Sequence, residues 1–198
     1  MKRIVALGLM GFVACILSAR ADIIPSFMGT SASGSDTIWS YTANVTDQQN
    51  ANTGDFFTIY DFGPFVASSA TQPMGWTFTS SFLGTTPAKI NPTDSPSILN
   101  LTWTYSGATI IGASAAGKGI GPFSVTVLGR VTLQQRSEFA AQGTLATGPT
   151  AGTKVGNVGN ISVPQPIQPI PEPATLALFA VTGSLFLIGR TVARRRKA

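Results

Sequence analysis

Leu99-Asn100-Leu101-Thr102-Trp103-Thr104-Tyr105 puts an apolar residue at every odd position and a polar one at every even position. A period of two is the signature of a strand with one face packed and the other wet. The same pattern recurs outward from it. Trp39, Tyr41, Ala43 and Val45 alternate with Ser40, Thr42 and Asn44, and Trp76, Phe78 and Phe82 alternate with Thr77, Thr79 and Ser81. Further strand candidates are Phe56 to Phe62, Thr109 to Gly112, Phe123 to Leu128, Val131 to Gln135 and Phe139 to Leu145. Turn-forming clusters separate them at Asn52 to Asp55, Gly63-Pro64, Gln72 to Gly75, Asn91 to Pro96 and Gly117 to Pro122. About eight short strands without a convincing amphipathic helix imply an all-β fold, an antiparallel β-sandwich of jelly-roll-like form. Its core is expected from Trp39, Tyr41, Phe57, Ile59, Trp76, Phe78, Trp103 and Tyr105.

The chain has 198 residues and a formal charge of +5. That charge sits at the ends: Lys2, Arg3 and Arg20 on one side, Arg190, Arg194, Arg195, Arg196 and Lys197 on the other. Between Asp22 and Ile170 five bases stand against seven acids, a balance of −2. A nucleic-acid partner therefore loses its electrostatic basis. Histidine is absent, and the single cysteine is Cys15.

Met1-Lys2-Arg3 is a positive start, and Ile4 to Leu17 is uncharged and apolar. That is the length of a signal-peptide core, too short for a membrane span. Ser18-Ala19-Arg20-Ala21 supplies small residues at Ala19 and Ala21, so a signal helix over 1–21 is expected to be cleaved between Ala21 and Asp22. Lipoprotein processing at Cys15 is the weaker reading, because Phe12-Val13-Ala14-Cys15 is a poor lipobox and Ile16-Leu17 continue the apolar run.

The other end is also tripartite. Residues 161–173 are proline-rich and read as a stiff, extended stalk. Residues 174–189 are uncharged and would span about 24 Å as a helix at 1.5 Å per residue, slightly short of a bilayer core of about 30 Å. Arg190 can snorkel, which extends a transmembrane helix over 174–193. The tail 194–198, with Arg194, Arg195, Arg196 and Lys197, is then held in the cytoplasm by the positive-inside rule.

Pro171-Glu172-Pro173, the apolar segment Ala174 to Ile188 and the basic finish, in this order at the end of the chain, resemble the PEP-CTERM sorting signal of Gram-negative bacteria that make exopolysaccharide. The resemblance implies recognition by an exosortase, a membrane-embedded, cysteine-dependent, transpeptidase-like enzyme that removes the helix and passes the protein onward. It makes Glu172 the recognised carboxylate between two rigid prolines. A plain membrane anchor after a proline-rich stalk shares the topology and differs in processing. A GPI signal normally lacks the basic cluster, and Leu-Pro-x-Thr-Gly is missing. Gly54 to Pro64 together with Gln72 to Trp76 resembles a recurring type of exported protein with this signal, and that resemblance carries no activity.

Catalytic chemistry has little to work with. Without histidine or cysteine after the signal, no Ser-His-Asp triad, thiol nucleophile or His-ligated zinc can form. Asp55 and Asp61, six apart on one strand face, would stand roughly 20 Å from each other. Glycosidase carboxylates stand about 5 to 10 Å apart. The two aspartates are expected instead at a turn and a strand end. Gly112 to Gly117 and Gly117 to Gly121 match neither a nucleophile elbow nor a phosphate loop. No catalytic, cofactor or metal residue is assigned. The expectation is a non-enzymatic protein whose 22–160 domain is carried by an inner-membrane precursor into the periplasm and then to the cell surface or matrix. Exopolysaccharide is a candidate contact. A carbohydrate-binding domain and a self-associating, membrane-anchored adhesin are the alternatives.

Overall fold

A computed structural model describes residues 23–112 and 114–165. The segments expected as signal helix, transmembrane helix and basic tail lie outside the described residues. Ten strands run in chain order: β1 (Ile23–Ser33), β2 (Asp36–Val45), β3 (Gln49–Ala51), β4 (Phe56–Ile59), β5 (Trp76–Ser81), β6 (Asn100–Tyr105), β7 (Ile110–Gly112), β8 (Lys118–Val127), β9 (Gln134–Leu145) and β10 (Lys154–Pro164). All pairings between them are antiparallel. No helix occurs among the described residues.

The strands form a three-stranded sheet, β1-β2-β8, and a seven-stranded one, β5-β6-β4-β9-β3-β7, with β10 on β9. In the larger sheet β3 and β4 lie end to end along β9, with Asn50 opposite Thr144 and Phe56 opposite Gln142. On the next row β7 and β6 repeat the arrangement, Ala51 facing Ile110 and Phe56 facing Thr104. Both rows break at the same level. There the Gly54 N–H donates to Tyr105 O at 2.8 Å and the Tyr105 N–H to Asp55 O at 2.7 Å, so the ladder's backbone groups stay satisfied through the interruption. The hairpins β1–β2 and β9–β10 each remain in their own sheet, which is not the two-Greek-key connectivity of a jelly roll.

Aromatic rings join the two layers. Phe123 of β8 packs edge-on against Phe57 of β4 at 5.0 Å and against Trp103 of β6 at 5.7 Å. Phe62 meets Trp39 at 6.5 Å and Tyr41 at 6.4 Å. Such pairs contribute roughly 0.5–1.5 kcal/mol each beyond the area they bury. Seven of the eight core residues expected from alternation are buried, and Phe78 is half-buried against the same cluster. Phe82, in phase with Trp76 and Phe78, departs from the pattern and is 55% exposed, because β5 ends at Ser81.

The polar face of the larger sheet is not bare. A strap, residues 82–99, crosses it: Thr58 Oγ1 and Tyr60 OH donate to Thr85 O at 2.7 and 2.9 Å, and Tyr60 OH meets Thr86 Oγ1 at 2.7 Å. Thr58 and Thr102 share a hydroxyl contact of 2.9 Å. Thr58, Asn100 and Thr102, the wet half of the alternation, are therefore buried. On the smaller sheet, residues 66–71 cap the outer edge of β8, with Val66 N–H on Thr126 O at 2.7 Å and Thr71 bonded in both directions to Ser124.

Several sequence boundaries move: the strand read over Phe56 to Phe62 ends at Ile59, and of Val131 to Gln135 only Gln134 and Gln135 are in a strand, where β9 begins. Gly117 to Pro122, read as a turn, is mostly the first half of β8. Ile161–Pro164, read as the start of the stalk, are the last residues of β10, with Ile161 and Val163 buried in the core. Pro164 is tolerated because it ends an outer strand, where a missing N–H breaks little of the ladder.

Candidate functional site

The carboxylates of the domain show what it could do chemically. Asp55, 0% exposed, closes the interruption between β3 and β4. Its Oδ2 accepts from Asn52 N–H at 2.7 Å and Thr144 Oγ1 at 2.8 Å, and its Oδ1 meets Lys154 Nζ at 2.6 Å. The turn role read from the sequence holds, since the Asp55 N–H also donates to Asn52 O at 2.8 Å. The partners Thr144 and Lys154, about a hundred residues along the chain, carry no sequence signal. Only the β9–β10 register brings them in, by setting Lys154 opposite Thr144.

A second group of carboxylates fastens the strap. Asp61 Oδ1 accepts from Ser95 N–H at 3.0 Å, Asp94 Oδ2 from Gly84 N–H at 3.1 Å and Glu138 Oε2 from Thr93 N–H at 2.7 Å. Asn100 links them, donating to Asp94 Oδ1 at 2.8 Å and accepting from Asp61 N–H at 2.7 Å. Asp61 sits at φ 48°, a left-handed conformation that aspartate tolerates better than most residues. Between the strap and β9–β10 lies an open pocket of about 280 Å³, lined by Asp61, Thr93, Arg136, Ser137, Glu138 and Asn160. Sequence reasoning missed this grouping. Asp61 and Glu138 meet only because Tyr60 N–H bonds Glu138 O at 2.9 Å, which depends on strand register.

In both groups a carboxylate oxygen accepts a backbone N–H, so the first task of these side chains is to hold loops. No group of three or more His, Cys, Asp or Glu side chains that could hold a metal occurs among the described residues. Burial raises the Asp61 carboxyl above its ordinary value, the Ser95 N–H opposes this, and the charges of Asp94 and Glu138 raise it further. A carboxyl raised in the folded state favours folding below its unfolded pKa of 3.8, and the advantage is lost as pH rises through the folded value. Asp61→Asn, whose Oδ1 can still accept from Ser95, is expected to melt closer to wild type at pH 3 than at pH 7. At pH 7 the variant gains because the desolvated charge is gone. Thermal melts at the two pH values check the sign.

The residues read from sequence as functional lie outside the described residues. These are Ala19, Ala21 and Asp22 at the signal cleavage site, Pro171, Glu172 and Pro173 at the sorting motif, and Arg190, Arg194, Arg195, Arg196 and Lys197 at the tail. The fold leads to them in sequence. Gln165 N–H donates to Leu133 O at 2.9 Å after β10 ends at Pro164, and residues 166–170 connect it to Pro171. No helix among the described residues is long and apolar enough to cross a membrane.

An all-β domain followed directly by a proline-rich, apolar and basic end defines the class: a secreted protein sorted by a C-terminal signal. The signal is the PEP-CTERM protein-sorting motif, matched at residues 169–197. The match includes Pro171, Glu172 and Pro173 and ends at Lys197. The motif implies a membrane-anchored precursor and processing by exosortase. No curated protein and no solved structure matches the chain.

Proposed function

We propose that the chain is a structural component of the cell surface or extracellular matrix, a β-sandwich delivered by its sorting signal and without catalytic activity of its own. The carrying observation is the motif at 169–197, which starts four residues after Gln165, the last of the described residues and bonded to Leu133 O. Signal peptidase cleaves after Ala21 and the chain crosses the inner membrane. The 174–193 segment holds the precursor there with Arg190 and the 194–198 cluster inside. Exosortase reads Pro171-Glu172-Pro173 and separates the domain from the helix.

The non-catalytic reading draws support from the inventory: the sequence has no histidine, and its one cysteine is in the signal region. Lys154, the nearest base to a buried carboxylate, is engaged by Asp55. The three tryptophans and three tyrosines are all buried, so a sugar-stacking platform finds no Trp or Tyr on the surface. Contact with exopolysaccharide would then rest on the Ser- and Thr-rich exterior, and nucleic acid is not a partner.

Glu172→Ala expressed in the native host tests the reading. The variant is expected to stay in the inner membrane while wild type reaches the outer or extracellular fraction. Equal distribution of the two contradicts sorting. Turnover of a polysaccharide or peptide by the purified protein, abolished by one carboxylate substitution, contradicts the non-catalytic role.

A further inference from the structure

Among the described residues, every outer strand of the two sheets but one carries a device against pairing with another chain. The outer edge of β8 is capped by residues 66–71. β1 contains Pro25 and a register break at Met28. β7 is three residues long. β10 begins with Lys154 and ends in Pro164. Charge, proline, bulges and brevity are the usual protections of exposed sheet edges.

β5 has none of these. Among the described strands it pairs only with β6, and the chain around it, from Phe62 to Ala88, has no charged residue. The hydrogen-bond phase is set by Tyr105, whose N–H and C=O both engage the 54–55 backbone on the β4 side. By antiparallel alternation the even residues of β6 then face β5 and hold Thr77, Thr79 and Ser81. The backbone N–H and C=O groups of Phe78 and Ser80 point to the open edge. Exposed apolar side chains flank the strand on both sides, Met74 at 99% and Phe82 and Leu83 at 55% and 81% exposure.

We infer that β5 is a homotypic docking edge, pairing antiparallel with β5 of a second copy about a two-fold axis at Phe78. The occupant follows from self-complementarity. Hydrogen-bonding positions must face hydrogen-bonding positions, so the residue numbers of facing pairs sum to an even value. An axis at Phe78 brings the Pro73–Trp76 turn that carries Met74 in each copy next to the end where Phe82 leaves β5 in the other, which covers the exposed apolar flanks reciprocally. Ser80 then faces Trp76, Thr77 faces Thr79, and no like charges meet. An isologous contact of this kind closes as a dimer and joins the two larger sheets into one.

The full chain in detergent, with Cys15→Ser to remove its only thiol, is the material for the test. In sedimentation it is expected to show concentration-dependent dimers. Met74→Lys, at a position almost wholly exposed, is expected to weaken the dimer about tenfold. Adding Phe82→Glu is expected to restore it, because the introduced ammonium at one end of β5 in each copy then lies beside the introduced carboxylate at the adjoining end of the other. Under oxidation a mixture of Thr77→Cys and Thr79→Cys chains is expected to form a disulfide dimer, because a non-hydrogen-bonded pair brings Cα atoms to about 4.5 Å. Each chain alone is not, because its cysteines are offset by two residues. A monomer at all concentrations, a dimer unaffected by Met74→Lys, or cross-linking of single variants as efficient as of the mixture overturns the proposal.

Discussion

Trp103→Ala is expected to cost about 4 kcal/mol of unfolding free energy, within the usual range for emptying an aromatic core site. Trp103 is fully buried at the centre of the larger sheet. It stacks on Phe57 at 5.2 Å, touches Phe78 at 5.2 Å and receives Phe123 from the other layer at 5.7 Å. The alanine leaves those three rings facing a void, and they belong to both sheets, so neither layer can close it alone. Against a total of about 5–15 kcal/mol for a domain, the loss approaches unfolding. Trp103→Phe is the informative control. The indole Nε1–H has no hydrogen-bond partner among the described residues, so phenylalanine loses volume without orphaning an acceptor and is expected to cost less than half as much. Urea melts of the two variants separate packing from polarity. Equal costs would mean that the ring stack is not what joins the layers.

Asp55→Ala is expected to cost about 3 kcal/mol, by a different mechanism. The carboxylate is the shared acceptor for Asn52 N–H, the Thr144 hydroxyl and Lys154 Nζ, and it fixes the level at which β3 gives way to β4. Deleting it deprives buried donors of their acceptor, at about 1–3 kcal/mol each. Lys154→Ala is expected to cost about 1 kcal/mol, because the ammonium is 40% exposed and its attraction is screened. The double variant should lose little beyond Asp55→Ala alone, since both changes remove the same contact. A Lys154→Ala loss as large as that of Asp55→Ala would assign the stability to the ion pair instead of to the capped backbone turn.

The strands with strong alternation were legible in the sequence because burial of one face writes itself as period two. β2, β6 and the inner residues of β4, β5 and β8 read correctly for that reason. β1 did not, since its second half, Thr30 to Ser33, is exposed on both faces and has no apolar phase to detect. β10 was obscured by close packing. A Cβ at Gly156 would come 2.5 Å from Pro87, and one at Gly159 would come 2.6 Å from the Phe139 ring, so the strand has glycine where a strand pattern looks for side chains. The first half of β8 was hidden by Gly119, Gly121 and Pro122, which read as turn residues, and the last two sit where its register shifts against β2. The strap was unreadable for a related reason. Its polar partners Thr58 and Asn100 look like solvent-facing strand residues, and their bonds to Thr85, Phe82 and Asp94 come from a segment without periodicity of its own.

The PEP-CTERM motif at 169–197 was legible, since its information is linear: a tripeptide, an apolar run and a basic cluster need no register to be recognised. The domain's polar groupings are the opposite case. Asp55 with Lys154, and Asp61 with Glu138, exist only once β4, β9 and β10 are aligned.

Intact mass of the protein recovered from its native host decides whether the domain is exported and cut free of its C-terminal apolar segment. Sorting requires a mass that starts at Asp22 and ends close to Glu172, from Pro171 to Ala174, with any added group accounted for. A mass that still includes residues 174–198 in the exported fraction would contradict it and leave a domain anchored permanently by its own tail.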